Sequence, residues 1–388
     1  MGPLRDAVRE HGLWAAHLDR ELGGQGYGQV RLGLLNEIVG RSPLAPPVFG
    51  NAAPDAGNAE ILARHGTAAQ RERWLAPLLA GSLRSSFAMT EPGAGADPTL
   101  LATRAVEDDG HWVISGDKWF VTNASVADVF IVMAVTDPDA PPHRRASMIV
   151  VEAGTPGLEV LRDLGSMEDP RPRPRRVDNH AELHLREVRV PKADILGPRG
   201  DGFLIAQHRL GPGRIQHCMR WLGQARRAFD MLCERSLYRR THGSTLSDKQ
   251  TIQNWIADSA AEMHAARLMT LHAAWRMDRE GPSAARREIG MIKFWGARVL
   301  HDVIDRALQA HGSLGYSSDL PLEEMYRRAR AARIYDGPDE VHRQTVARLV
   351  LRDYRVPPGE VPSEHVPTRR EAALRRFAHL LELQTAND

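Results

Sequence analysis

Phe87-Ala-Met-Thr-Glu-Pro-Gly-Ala-Gly-Ala-Asp97 is the stretch on which the reading of the fold turns. It begins as a strand-like apolar run and ends in a turn carrying two glycines and a threonine. Glycine lets a backbone come close to a flat ring or a pyrophosphate, and free N–H groups with the Thr90 hydroxyl offer donors to the polar atoms of such a ligand. Judged by its residues alone, the segment reads as an ordinary turn slightly more readily than as a ligand loop.

The chain changes period on either side of it. From Leu4 to about Leu83 the spacing is helical, with Leu32, Leu34, Leu35, Ile38 and Val39 as one apolar stripe and further helical runs over 56–63 and 69–79. From about Ser85 to Leu196 the period is two, which predicts strands at 111–114, 129–133, 147–151 and 182–185 between Gly, Asp and Pro turns. After Gly202 the helical period returns over 204–236, 252–279, 283–309 and 340–351, a four-helix pattern that suggests a bundle. Ser247 with Gln250, and Thr368 with Glu371, have the spacing of capping boxes. Residues 357–367 read as a proline-rich linker, and 369–384 as a tail helix. Its stripe of Leu374, Phe377, Leu380 and Leu381 needs a surface, on its own core or on another subunit. The boundaries that follow are 1–84, 85–196, 197–355 and 356–388.

Composition limits the function classes. A chain of 388 residues exceeds one hydrophobic core. A formal net charge of +2 argues against a nucleic-acid-coating protein. Cys218 and Cys233 form no CxxC pair, and neither they nor the histidines have metal-ligand spacing, so no metal site is expected and a cytoplasmic setting fits. The start, Met1 to Gly12, lacks the apolar core of a signal peptide, and no stretch is apolar for long enough to span a bilayer. Gly23-Gly-Gln-Gly-Tyr-Gly28 follows a helix and has the wrong spacing for a dinucleotide fingerprint, so it reads as a tight turn.

Taken together in order, the motifs are specific. Phe87 to Asp97 resembles the flavin loop of the acyl-CoA dehydrogenase family, and Lys118-Trp-Phe-Val-Thr-Asn123 resembles its second flavin segment. Val188-Arg-Val-Pro191, Gly211-Pro-Gly-Arg214-Ile-Gln-His-Cys218 and Ile334-Tyr-Asp-Gly-Pro-Asp-Glu-Val-His342 are similar to later family motifs, the last as in the branch of family members 10 and 11. The resemblance implies an α+β fold with an N-terminal helical domain, a central β-barrel domain and a C-terminal four-helix bundle. It implies FAD as cofactor, with Phe87, Met89, Thr90, Gly95, Ala96, Phe120 and Thr122 along the flavin and Pro338 and Glu340 also at the cofactor. Arg239, His242, Gln250, Gln309 and Gly312 match the contact to FAD of a neighbouring subunit, which implies a homodimer or homotetramer. Asp336 aligns on the catalytic glutamate that removes the α proton of an acyl-CoA while a hydride goes to the flavin. Tyr335, Gly337 and Arg214 fall on the substrate side. The reduced flavin would pass electrons to an electron-transfer flavoprotein-like acceptor.

Several positions depart from the family pattern. Aspartate is one methylene shorter than glutamate, and in a positioned reaction a displacement of about 1 Å costs roughly a hundredfold. The family's other seat for the base is Gly213 here, which cannot accept a proton. Phe120 stands in place of tryptophan and Ala96 in place of serine. The resemblance further implies a start that falls later than in family members. The arginines of the loop from Glu168 to Arg176 could meet the phosphates of CoA, although charge runs are usually solvated. Three rival readings remain open at this level: a flavin oxidase of the nitroalkane-oxidase kind, action on an oxygenated acyl-CoA or carrier-bound thioester, and a non-catalytic scaffold.

Overall fold

In the computed structural model, residues 2–355, 359 and 361–380 are described. By contact density the chain divides into one unit over Met1–Val346 and a second over Ala347–Asp388.

The first unit carries a two-stranded hairpin, Arg240–Thr241 with Ser244–Thr245, among its later helices, and has helices at both ends of an eight-stranded sheet. Its strands are β1 (Ser85–Ala88), β2 (Arg104–Asp108), β3 (His111–Thr122), β4 (Val129–Val135), β5 (Ala146–Glu152), β6 (Leu158–Asp163), β7 (His180–Pro191) and β8 (Ile195–Leu196). They run in the order β6-β7-β3-β2-β4-β5-β8, with β1 parallel to β4. The pairing ends at β6 on one side and β8 on the other, so the sheet stays open where the sequence reading had a barrel. β4, Val-Phe-Ile-Val-Met-Ala-Val, is buried on both faces, and its alternation sends residues into two cores. Phe130, Val132 and Ala134 join Trp112, Ile114 and Leu183. Val129 and Ile131 join Ile61, Leu62, Trp74 and Ile205 from the helices. β2 and β6 escaped the sequence reading because Arg-Ala-Val-Glu-Asp is mostly exposed and Leu-Glu-Val-Leu-Arg-Asp turns only the partly buried Leu158 and Val160 toward the core, too short an alternation to stand out.

The long helices match the expected periods: Gly202–Tyr238, Gln250–Glu280, Arg286–His311 and Asp339–Leu351, with Leu322–Ala331 between the last two. The N-terminal helix Gly28–Val39 lies on the Gly202–Tyr238 helix at close range. A Cβ on Gly223 would sit 2.1 Å from the Glu37 carbonyl oxygen, and one on Gly40 would sit 2.3 Å from that of Arg220. This crossing rotates the helix away from its predicted stripe. Leu32 and Val39 are buried, whereas Leu34 is 38% and Ile38 70% exposed, and Asn36 faces inward instead. The Gly23–Gly28 turn is as tight as its composition suggested, because a Cβ on Gly24 would meet the Leu18 carbonyl at 2.1 Å.

Neither expected capping box forms. Gln250 opens its helix after an uncapped Lys249, and the box lies two residues earlier, between Thr245 and Asp248. In the second unit the helix is Val366–Arg376, which starts ahead of Thr368 and has no buried residue. Leu374, Phe377 and Leu380 are exposed. Leu381 and the predicted end of the tail helix lie outside the described residues, as do 356–358 and 360 of the proline-rich linker. Among the described residues no helix is long and apolar enough to cross a membrane, and no cluster of three metal-ligating side chains occurs.

Candidate active site

Between the helices Leu322–Ala331 and Asp339–Leu351 the chain turns through two consecutive residues with positive φ, Asp336 (55°) and Gly337 (97°). For a residue with a Cβ that conformation costs roughly 1–2 kcal/mol, so the surroundings must impose it. Arg214 Nε donates to the Asp336 carbonyl at 3.0 Å, and His342 Nε2 meets the same oxygen at 3.1 Å. The buried Lys293 donates to the carbonyls of Ala332 at 2.7 Å and Gly337 at 3.4 Å. Its ammonium also lies 5.2 and 5.3 Å from the ring centroids of Trp221 and Tyr335, and Trp221 Nε1 donates to the Tyr335 hydroxyl at 2.8 Å. Glycine is required at 337, where a Cβ would come within 2.8 Å of His342 Nε2.

The turn presents the Asp336 carboxylate at 19% exposure, with Oδ2 3.3 Å from His217 Nε2. Burial pushes this carboxyl up, but His217, Arg214, Arg209 and Lys293 together hold it below the usual range. Burial drives His217 itself down to about 3, so it is neutral in ordinary conditions and meets Asp336 as a close polar neighbour rather than as a cation. The lasting cationic field therefore comes from the two arginines and the lysine. Asp336 is accordingly ionised, the form that accepts a proton. No described residue accepts from its backbone N–H.

The Phe87–Asp97 loop sits against the second predicted flavin segment. Trp119 N–H donates to the Thr90 carbonyl at 3.0 Å. Below this contact Glu91 accepts from Lys118 Nζ at 2.7 Å and from the N–H groups of Ala102 (2.7 Å) and Thr103 (3.0 Å). Arg209, from the Gly202–Tyr238 helix, places its guanidinium 4.1 Å from the Phe87 ring centroid, and its charge also acts on Asp336. The same helix thus reaches both the loop and the Asp336 turn.

These residues fit an FAD. Nothing lies within 4 Å of where a Cβ on Gly93 or Gly95 would sit, so the turn is open to a close-lying ligand. The Thr90 hydroxyl and the N–H groups of Gly95 and Ala96 have no acceptor among the described residues. Phe120, held at φ 51°, is 46% exposed and meets Trp119 edge to face. Met89 is half-buried, and the Thr122 hydroxyl bonds His180 Nδ1 at 3.0 Å. Arg239, His242, Gln250, Gln309 and Gly312 are all exposed in the single chain, as is Glu340, and Pro338 is half-buried. The arginine loop borders a groove of ≈ 650 Å³ lined by Ser125, Arg162, Asp163, Pro172, Pro174 and Arg175, none of them a partner of Asp336.

Sequence reading missed His217, Lys293, Lys118, Glu91, Arg209 and Arg220. One signal for the helix residues was available. Arg214, His217 and Arg220 recur every three positions on a helix whose neighbouring residues Ile215, Cys218, Met219 and Leu222 are buried, and polar groups at helical spacing in a buried segment imply buried partners.

Three family models match the chain in order: the acyl-CoA dehydrogenase N-terminal domain over residues 3–82, the middle domain over 86–170 and the C-terminal domain over 200–351. Acyl-CoA dehydrogenase family member 10 of Mus musculus is 42% identical over 360 residues, covering 90% of this chain and 33% of its own length, so the chain spans about a third of that relative. The Mycobacterium tuberculosis protein named "Probable acyl-CoA dehydrogenase FadE2" is 42% identical over 354 residues, covering 90% of this chain and 84% of its own. Among solved structures, butyryl-CoA dehydrogenase from Megasphaera elsdenii aligns with a TM-score of 0.77 at 28% identity, over 90% of this chain and 89% of that one.

Proposed function

Since the chain belongs to the acyl-CoA dehydrogenase family, we propose that it is an FAD-dependent oxidoreductase that dehydrogenates an acyl-CoA thioester between its α and β carbons, with Asp336 taking the α proton. The observation that carries this reading is the Asp336 turn: an ionised, half-buried carboxylate beside a backbone N–H left without a partner. An α proton is weakly acidic, so the acceptor must lie at the carbon, and the thioester oxygen needs a donor where negative charge develops. The Asp336 N–H is the donor this chain supplies, and Arg214 and His342 hold the turn that presents it by bonding the Asp336 carbonyl on its far side. In the free protein the carboxylate is a weak base. An acyl group that displaces water from it raises its pKa, since desolvation opposes the charged form, and so strengthens it when substrate is in place.

Phe87, Met89, Thr90, Gly95, Ala96, Phe120 and Thr122 would hold the flavin ring, with Pro338 and Glu340 nearby. The exposed Arg239, His242, Gln250, Gln309 and Gly312 would meet the FAD of a second copy in a homodimer or homotetramer. Bound FAD would supply the acceptor for the β hydride. Tyr335 and Gly337 would flank the acyl group, and the groove beside Arg162 and Arg175 suits the phosphates of CoA. An electron-transfer flavoprotein-like acceptor would reoxidise the flavin. The decisive experiment is anaerobic titration of the FAD-loaded protein with a series of acyl-CoAs, with bleaching of the flavin absorbance as the expected result. Bleaching by a nitroalkane alone, with peroxide formed in air, would make the protein an oxidase. Failure to take up FAD would leave a scaffold.

A further inference from the structure

The geometry points to His217 as a positioning residue for Asp336, held in one tautomer by Arg220 so that its Nε2–H grips Oδ2 and leaves Oδ1 as the proton acceptor. Arg220 Nη2 lies 3.1 Å from His217 Nδ1. A guanidinium can only donate, so Nδ1 must present its lone pair, and the single proton of a neutral imidazole is then on Nε2. Nε2, the nitrogen that then carries the proton, lies 3.3 Å from Asp336 Oδ2. A doubly protonated ring would set an N–H against the arginine, and the burial that drives His217 down to about 3 excludes that form at neutral pH as well.

Arg220 is itself anchored. It is 8% exposed, and its Nη1 donates to the Asn51 carbonyl at 2.7 Å. The Asn51 amide donates to Asn36 Oδ1 at 2.8 Å, and Asn36 donates to the Leu32 carbonyl at 2.8 Å. A hydrogen-bonded line thus runs from the inward face of the Gly28–Val39 helix through Asn36, Asn51 and Arg220 to His217, whose Nε2 lies 3.3 Å from the carboxylate. Buried polar lines of this kind fix one arrangement because each member is costly to leave unpaired. The line also answers the question that the short side chain raises. An aspartate has less reach than a glutamate, and here its orientation is set from outside the turn, by a side chain one helical turn beyond Gly213.

For its kinetic arm this inference rests on the proton-accepting role proposed for Asp336; its spectroscopic arm does not. In protein labelled with ¹⁵N-histidine at pH 7, the His217 signals, assigned by their loss in His217→Gln, should show a neutral ring protonated at Nε2 and should shift in Asp336→Asn. An imidazolium pattern, or protonation at Nδ1, would overturn the proposal whether or not the enzyme turns over. In FAD-loaded protein reduced anaerobically by an acyl-CoA, His217→Leu should slow flavin bleaching about a hundredfold, with the half-saturating substrate concentration within about twofold. His217→Gln restores a donor at the Nε2 position and should recover the rate to within about tenfold of the parent. Equal losses in both variants, or a loss confined to substrate binding, would overturn the positioning role. Should His217→Leu fail to fold, the tautomer measurement and the glutamine variant still decide. A parent protein that no acyl-CoA bleaches would refute the proposed reaction and leave the tautomer result to stand by itself.

Discussion

Lys118 and Lys293 are both fully buried, and they do opposite things. Lys118 is closed off: its ammonium meets Glu91 at 2.7 Å and the carbonyls of Met89 and Met133 at 3.0 and 2.7 Å, while Glu91 takes two backbone N–H groups besides. Burial lowers this lysine to about 8 against the pull of Glu91, and the lysine and N–H donors hold Glu91 low against its own burial, so both are charged at neutral pH. Lys293 instead bonds two carbonyls of the Asp336 turn and faces two aromatic rings. Its charge acts on Asp336 through space rather than through a contact. The closed pair fixes the loop that should hold the flavin, and the open arrangement keeps a carboxylate charged with an oxygen to spare.

The hardest test of the open site is Asp336→Asn. The asparagine keeps the shape and removes the base, so flavin bleaching by acyl-CoA should fall about a thousandfold, with FAD absorbance retained. Undiminished bleaching would remove Asp336 from the reaction. The pH dependence has a definite sign. Because the folded pKa is lowered, ionised Asp336 contributes stability above its unfolded value near 3.8 and loses it as pH falls through the lower folded value. The Asn variant should therefore be less stable than the parent at neutral pH, and the gap should close in acid; a gap that persists there would contradict the assignment.

The two lysines can be compared directly by denaturant unfolding. Lys118→Met strands the Glu91 carboxylate in the interior and should cost about 3–5 kcal/mol. Lys293→Met strands two carbonyls and weakens the field on Asp336 but leaves no charge without a contact partner, and should cost about 1–3 kcal/mol. Equal costs would break the contrast.

What the sequence disclosed follows the same division. Motifs built from local chemistry were legible: the glycine turn after Phe87, the Tyr-Asp-Gly-Pro turn, the long helices and the strongly apolar β4. The partners that tune the site were not, because a buried polar residue takes its meaning from another segment. The spacing of Arg214, His217 and Arg220 announces buried partners without saying which, nothing local distinguishes Lys293 from a surface residue, and the partners of Asn36 and Arg220 become visible only once Gly40 and Gly223 let their helices meet. For the same reason Ile38 was placed inside although the crossing turns it outward.

A smaller effect probes the strain of the open turn. Gly337→Ala places a Cβ in the left-handed region and against His342 Nε2, which should cost about 1–2 kcal/mol. Displacing His342 loosens the Asp336 carbonyl, so the bleaching rate should fall with it. A stability loss with an unchanged rate would show that Arg214 alone is enough to hold the turn.

The smallest effect concerns a second closed anchorage, one that the sequence reading did not name. Thr67 and Gln70 form a reciprocal capping box, with Gln70 N–H to Thr67 Oγ1 at 3.2 Å and Thr67 N–H to Gln70 Oε1 at 3.0 Å. The Gln70 amide continues to the carbonyls of Ala193 and Ile195, which tie this helix start to the entry of β8. Ser247, whose spacing to Gln250 suggested a box, lies ahead of an uncapped helix and shares its hydroxyl with Thr245. Thr67→Ala should therefore cost about 1 kcal/mol, and Ser247→Ala within about 0.5 kcal/mol of nothing. Thermal unfolding of the two variants separates the cases. The reverse ranking would mean that the Ser247 spacing, and not the observed bond pattern, marks the true cap.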